Sequence, residues 1–222
     1  MFNKIIVVLL GLLTFVSLSS HAQRLQANQE RYQVLLFTKS LDYQHRSVTT
    51  GVEMFKELAQ DNHFGLTWTE QSDVFDDEKQ LSNMDVIVFM NTSGDILNDH
   101  QRRALQNYIR GGGNFVAIHS ASFTMMEWPW YVELVGGVWN RHPSPGISTA
   151  IINNVNPNHP ATAHIPEKWL VTEEWYNYLE LSDNIEVVLT VDETTFIGGK
   201  MPDYHPIAWY QENFEGGRSF HT

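Results

Sequence analysis

A short apolar segment between a glycine triplet and a histidine, residues 111–119, constrains the fold of this 222-residue chain most strongly. Glycines 111–113 end a helical pattern, and residues 114–118 form a run typical of a buried strand. His119 follows that strand directly. In open α/β sheets the ligand crevice lies at the carboxyl ends of the strands. The sequence therefore predicts that His119 lies at a ligand site.

Strand and helix patterns alternate through the first half of the chain. Short apolar runs predict strands over residues 34–37, 66–69 and 86–90. Apolar residues spaced three and four apart predict helices over 48–60 and 99–110, and a short acidic segment, 76–81, predicts a helical turn. A strand, a helix and a second strand in that order indicate a right-handed parallel crossover.

The second half has a β-rich pattern without a long periodic helix. Strand-like segments are separated by clusters of proline, glycine and asparagine, at residues 147–155, 171–174, 186–191, 206–210 and 218–222. We expect these strands and their long loops to cap the same sheet, in one domain. The last strand ends with the chain, so it is either an edge strand or continues in a longer natural protein.

Residues 1–22 have the pattern of a secretory signal peptide. Lys4 gives a basic start, residues 5–16 are apolar, and residues 20–22 resemble a small-residue cleavage site. The apolar run is short for a membrane span. We therefore expect a secreted or periplasmic protein with no stable membrane span after signal cleavage; a retained amino-terminal anchor is the alternative.

Charge and composition exclude several classes of function. The net charge of -12 argues against nucleic acid as a partner, because phosphate backbones bind clustered lysine and arginine. The chain has no cysteine, which excludes a thiolate nucleophile, a disulfide framework and a Cys-ligated zinc. Histidines, carboxylates, hydroxyls, lysines or a bound metal must therefore supply any chemistry. The oligomeric state stays open, with a homo-oligomer as one option.

Polar residues follow three of the predicted strands, where a parallel sheet would bring them to one crevice. They are His45, Asn91, Asp95 and His119. Each also has a purely structural interpretation, because asparagine and aspartate satisfy turn backbone and a histidine can be buried in a core. Their shared position at strand ends favours a functional role.

Histidines and carboxylates could also form a metal site. His119 could bind zinc or another divalent ion together with further histidines and with Glu173 or Glu174 as the oxygen ligand; the candidate histidines are His142, His159, His164, His205 and His221. The chain has no His-Glu-x-x-His motif. The sequence therefore leaves open whether a metal is bound.

Aromatic residues of the second half lie close to histidine, asparagine and glutamate, as in residues 128–131 and 173–178. Aromatic faces beside hydrogen-bonding groups suit sugar rings, so a small-molecule carbohydrate is the expected partner. A packed aromatic core is the alternative. Glu174 could serve as a general acid or base if burial raised its pKa.

Ordered motifs along residues 32–222 resemble the ThuA-like (trehalose utilisation) family. They occur at residues 37–39, 45–47, 91–95, 111–122, 128–131, 159–162, 173–176, 198–199, 205–209 and 216–220. The resemblance implies a class I glutamine amidotransferase-like fold, which is a flavodoxin-like parallel sheet with helices on both faces. Relatives usually continue beyond the last glycine-rich strand, so the resemblance implies that this chain is truncated at its carboxyl end.

The same resemblance places His119, or its neighbour, where the amidotransferases have a nucleophilic cysteine. Without cysteine the protein is not a glutaminase. Our hypothesis is an exported enzyme of carbohydrate utilisation, acting on trehalose or a related disaccharide or glycoside by acid–base chemistry, with or without a metal. The alternative is a non-catalytic sugar-binding or accessory module. The predicted catalytic residues are His119, Glu174 and His205, and the predicted substrate-binding residues are His45, Asn91, Asp95, Trp130, Trp175 and Arg218.

Overall fold

The computed structural model describes residues 31–201 and 204–222. The predicted signal peptide, residues 1–22, lies outside the described residues. No helix in the described part of the chain is long and apolar enough to cross a membrane.

Eleven strands and four α-helices make up the described fold. The strands are β1 (Gln33–Phe37), β2 (Gly65–Thr69), β3 (Val86–Met90), β4 (Asn114–Ile118), β5 (Val138–Arg141), β6 (Ile147–Asn154), β7 (Lys168–Glu174), β8 (Asn177–Leu179), β9 (Glu186–Val191), β10 (Pro206–Phe214) and β11 (Gly217–His221). The helices are α1 (Val48–Asn62), α2 (Glu78–Leu81), α3 (Asp99–Arg110) and α4 (Pro129–Val135). Short 3-10 turns follow β2, β4 and β9.

Nine strands form one mixed sheet in the order β2-β1-β3-β4-β11-β10-β9-β6-β7. The first five of these run parallel, and β10, β9, β6 and β7 continue the sheet by antiparallel pairing. Strand β11 pairs with β4 on one side and β10 on the other. The edge-strand alternative is therefore wrong, because β4 and β10 both occupy backbone hydrogen-bonding groups of β11.

Helices cover both faces of the parallel part of the sheet, as the flavodoxin-like prediction required. Successive side chains of a strand point to opposite faces. In β1, Leu35 and Phe37 pack in the cluster that includes Leu105 and Ile109 of α3, whereas Leu36 packs in the cluster of Val52 from α1. These strands are buried on both sides, which explains why their sequences are continuously apolar.

Three elements of the second half were not predicted from the sequence. Helix α4 has seven residues, fewer than two turns, so it shows little helical periodicity. Strands β5 and β8 have four and three residues and pair only with each other. Such short segments carry too few residues for an alternating pattern.

The β6–β7 hairpin extends beyond the carboxyl edge of the parallel strands. β6 pairs with β9 only through residues 152–154, whereas it pairs with β7 through residues 147–153. Residues 147–151 and their partners in β7 therefore form a two-stranded ribbon. Glu174, paired with Ile147, lies at the end of that ribbon.

Candidate functional site

The residues directly after β3 and β4 have the left-handed backbone conformation. Asn91 has φ +54° and His119 has φ +55°, values that are uncommon for residues other than glycine. The backbone N–H of Asn91 donates to the carbonyl of Ile118 over 3.2 Å, and that of His119 donates to the carbonyl of Thr222 over 2.7 Å. These bonds to neighbouring strand ends offset the backbone strain and hold both turns at the carboxyl edge of the sheet.

Two histidines and a glutamate meet at this edge, and we call them the histidine–glutamate cluster: His45, His119 and Glu174. Nε2 of His119 lies 3.0 Å from Nε2 of His45 and 3.2 Å from Oε2 of Glu174. Nε2 of His45 lies 3.5 Å from the same carboxylate oxygen. His45 comes from the loop between β1 and α1, His119 from the turn after β4, and Glu174 from the end of the ribbon.

Three further side chains contact the cluster. The hydroxyl of Tyr176 lies 3.0 Å from Nε2 of His119. Nε2 of His142 lies 3.7 Å from Oε1 of Glu174, and the hydroxyl of Ser120 lies 3.4 Å from Nδ1 of His45. The aromatic rings of Tyr176 and His119 also pack together, with centroids 4.4 Å apart.

Burial sets the protonation of these groups. It lowers the pKa of His119 to about 4, with His45 acting in the same direction and Glu174 opposing it. It also lowers the pKa of His45, again against the attraction of Glu174. Burial raises the pKa of the Tyr176 hydroxyl, and the nearby Glu174 raises it further. Near neutral pH the uncharged imidazoles of the cluster therefore lie beside the protonated phenol of Tyr176.

The cluster remains accessible from solution. The side chains of His45, His119 and Glu174 are 13%, 22% and 28% exposed. Tyr43 is 60% exposed and packs edge-on against His45, with ring centroids 4.7 Å apart. A small molecule could therefore reach the cluster along an aromatic surface. The two imidazole nitrogens and the carboxylate oxygen also form a set of potential metal ligands within 4.8 Å of one another.

The structure brings Asn91 to the same edge, but Asn91 contacts the surrounding loops. Its side-chain amide donates to the hydroxyl of Ser47 over 2.9 Å, and its carbonyl accepts a hydrogen bond from Ser40. Asp95 pairs with Arg102 on α3 and does not contact the histidine–glutamate cluster.

Two predicted substrate-binding residues lie at the opposite, amino-terminal end of the parallel strands. Arg218 donates to Oδ1 of Asn114, the first residue of β4, over 3.0 Å. Trp130 donates to Glu215, in the turn before β11, over 2.9 Å. Their separation from the histidine–glutamate cluster follows from strand direction, because both contact residues at or just before the starts of the parallel strands β4 and β11, whereas His119 follows the end of β4.

His205 and Trp175 lie behind the cluster. The ring of His205 is buried and bridges Oε1 of Glu193 and the carbonyl of Tyr176, each at 2.7 Å. The indole of Trp175 is also buried and donates to the carbonyl of Ser148 over 2.9 Å. His205 therefore contacts the backbone of a cluster neighbour, and Trp175 packs in the core of the ribbon.

No site role was predicted from the sequence for Tyr176, Ser120 or Tyr43, and His142 was predicted only as one of several metal candidates. One local signal could have identified Tyr176. Tyr176 follows Glu174 by two residues, in the short connection between β7 and β8, so the chain itself keeps the two residues close together.

Comparisons with known proteins agree with this architecture. A ThuA-like protein from Bacteroides uniformis has a TM-score of 0.73 at 21% identity, over 87% of this chain and 81% of its own. One from Parabacteroides merdae has a TM-score of 0.67 at 19% identity, over 86% and 78%. A cytoplasmic protein from Salmonella typhimurium has a TM-score of 0.56 at 13% identity, over 85% of both chains. At these identities the likeness shows the fold alone.

No curated protein matches the chain in sequence. The model of the ThuA family, described as trehalose utilisation, matches residues 33–222. This match covers most of the chain, including every residue of the histidine–glutamate cluster. The chain therefore belongs to the ThuA family.

Proposed function

We propose that this ThuA-family protein is an exported enzyme that acts on a small carbohydrate by acid–base chemistry, with His119 as the base. One observation carries the proposal: Nε2 of His119 lies within 3.2 Å of both the Glu174 carboxylate and the Tyr176 hydroxyl at the carboxyl edge of the sheet. This edge is where open α/β sheets bind their ligands.

The protonation states of the cluster suit proton transfer. An uncharged His119 can accept a proton from a sugar hydroxyl or from an acidic C–H, and Glu174 would then stabilise the imidazolium that forms. Tyr176 keeps its proton near neutral pH, since burial raises its pKa above an ordinary value of 10.0. Its hydroxyl can therefore donate a hydrogen bond to a substrate oxygen on which negative charge develops.

The surroundings of the cluster favour a sugar as substrate. Three aromatic rings border the histidines in and beside the cluster: Tyr43 next to His45, Tyr176 next to His119, and Trp139 next to His142, with centroids 4.4–5.4 Å apart. Apolar faces beside hydrogen-bonding groups match the C–H faces and hydroxyls of a sugar ring. This chemistry, together with the family's description, supports trehalose or a related disaccharide or glycoside as the substrate class.

The test is a turnover screen with disaccharides and their oxidised derivatives, comparing wild type with His119→Asn. Asparagine tolerates the left-handed conformation at this position, so the variant should fold. We expect turnover to fall by about 10²–10⁴-fold, the usual contribution of a positioned acid or base. His100→Ala is the matched control, because His100 is exposed and outside the cluster.

Unchanged turnover in His119→Asn would contradict the assignment of the base. Calorimetric binding of a disaccharide without turnover in wild type would instead favour the alternative, a sugar-binding or accessory module. Detection of the mature chain starting near residue 23 in the periplasm or medium would support export, and retention of the whole chain in the cytoplasm would contradict it.

A further inference from the structure

We propose that His45, His119 and Glu174 bind a divalent transition-metal ion through Nε2, Nε2 and Oε2. The inference deepens the proposed function, on which it rests for its catalytic consequence, by naming the ion that the same cluster takes. Nε2 of His119 cannot hold a proton and an ion at once, so with the ion bound His119 is a ligand, and it is the base only in the metal-free protein. Its structural basis is the mutual distance of the three atoms together with the contacts around them.

The three atoms have the spacing of ligands around one ion. They are 3.0, 3.2 and 3.5 Å apart. Points with these separations lie on a circle of about 1.9 Å radius, slightly less than zinc bonds to histidine nitrogen and carboxylate oxygen, which are about 2.0–2.2 Å long. An ion at bonding distance from all three atoms would lie about 1 Å outside their plane. The cluster can therefore accept an ion with little movement of its side chains.

Hydrogen bonds alone satisfy this arrangement poorly. A ring nitrogen offers one in-plane direction, occupied by either a proton or a lone pair. Nε2 of His119 nevertheless has three polar atoms within 3.2 Å, from His45, Glu174 and Tyr176. One proton cannot serve all three partners. A shared cation would attract both imidazole lone pairs and the carboxylate at the same time. Nε2 of His119 would then no longer need one proton to bond both His45 and Glu174.

Contacts behind the cluster resemble those that orient metal ligands. A metal-binding histidine usually donates its other ring N–H to an oxygen atom. Nδ1 of His45 faces the hydroxyl of Ser120 at 3.4 Å. A ligating carboxylate is usually hydrogen-bonded too, and Oε1 of Glu174 faces His142 at 3.7 Å. Two of the three ligands therefore have partners on the side away from the shared centre.

The donor set indicates the kind of ion. Two imidazoles and one carboxylate suit zinc, manganese, iron or cobalt better than calcium or magnesium, which prefer oxygen ligands. Three protein ligands leave at least one position free, as in catalytic rather than structural zinc sites. A divalent ion held there supplies Lewis-acid stabilisation of a substrate oxygen.

The test counts metal directly. Full-length chain without a histidine tag is treated with a chelator, incubated separately with Zn²⁺ and with Mn²⁺, passed through a desalting column and measured by plasma mass spectrometry. We expect about one equivalent of one of these ions per chain. His119→Asn and Glu174→Gln should each remove it, whereas His100→Ala should retain it. Ser120→Ala should weaken the affinity by about 10–100-fold, as is usual for partners of metal ligands.

The outcomes distinguish a failure of the metal site from a failure of the proposed function. A wild-type chain that retains neither ion overturns the metal site even if its sugar turnover depends on His119. Retention of a full equivalent by both His119→Asn and Glu174→Gln overturns it as well. A bound ion without turnover of any sugar overturns the proposed function and leaves the metal site standing. The wild-type count decides the question even if a variant fails to fold.

Discussion

The hydroxyl of Tyr176 lies 3.0 Å from Nε2 of His119, although the two residues are 57 positions apart in sequence. Burial raises the pKa of the phenol and lowers that of the imidazole to about 4. The proton between them therefore resides on the phenol over a wide pH range. The Tyr176 hydroxyl is therefore a hydrogen-bond donor, and the uncharged imidazole of His119 beside it is a base.

Tyr176→Phe tests this pairing. The substitution removes the hydroxyl and keeps the ring that packs on His119, so we expect kcat to fall by about 10²-fold or more with little change in thermal stability. Steady-state kinetics on the sugar identified by the screen, with a melting curve for each protein, measures both. A kcat equal to that of wild type would exclude the hydroxyl from the reaction.

Acid should destabilise the fold through His119. Its native pKa of about 4 lies below the ordinary value of 6.5, so between these values the unfolded chain binds more protons than the native chain. The free energy of unfolding should therefore fall as pH decreases through this window. Buried His221, whose pKa is lowered to about 3, acts in the same direction.

Urea unfolding between about pH 7 and about pH 5, with chelator present, measures this dependence, and each unit of pKa difference contributes about 1.4 kcal/mol. His119→Asn should show a shallower dependence than wild type, because it removes one of the titrating groups. Equal slopes for both proteins would show that His119 does not titrate in this way.

His205→Gln should affect stability more than chemistry. The His205 ring bridges the Glu193 carboxylate and the Tyr176 carbonyl, and glutamine can replace only part of this bridge. An unpaired buried polar group costs about 1–3 kcal/mol, so we expect a loss of that order in the free energy of unfolding. We expect kcat to change less than in Tyr176→Phe. A severe loss of kcat at unchanged stability would instead indicate the catalytic role predicted from the sequence.

Tyr43 and Trp130 should differ in their effect on sugar binding. Tyr43 is exposed beside His45, whereas Trp130 contacts Glu215 at the other end of the sheet. We expect Tyr43→Ala to weaken sugar affinity by about 2–10-fold, corresponding to about 0.5–1.5 kcal/mol for an aromatic contact. Trp130→Ala should leave the affinity unchanged. Isothermal calorimetry compares the two variants, and the opposite ranking would place the sugar at the amino-terminal end.

Local patterns predicted the regular elements well. The bounds predicted for β3, α3 and β9 agree with the structure. For α3 the reason is visible: Asn98 and Gln101 form a capping box at its start, and Gly111 follows its last residue. The elements that were not predicted, α4, β5 and β8, are short, and tertiary packing determines their conformation.

The position of His119 followed from the sequence, because a buried strand and the residue that ends it are encoded within ten residues. The partners of His119 could not be predicted in the same way. Glu174 lies on the outermost strand of the sheet order, and it reaches His119 because the β6–β7 ribbon extends past β9. How far a hairpin extends beyond its neighbour depends on register, which packing of the whole sheet sets.

The sequence by itself determined which strands are buried, where each ends and that His119 stands after β4, because hydrophobic periodicity and helix termini are local properties. Only the tertiary structure decided which of the remaining histidines, carboxylates and aromatics meet it. His45, Glu174 and Tyr176 contact His119, and His142 contacts Glu174. Trp130 and Arg218 lie at the amino-terminal end of the parallel strands. This arrangement depends on strand direction and loop path, which arise from contacts between distant segments.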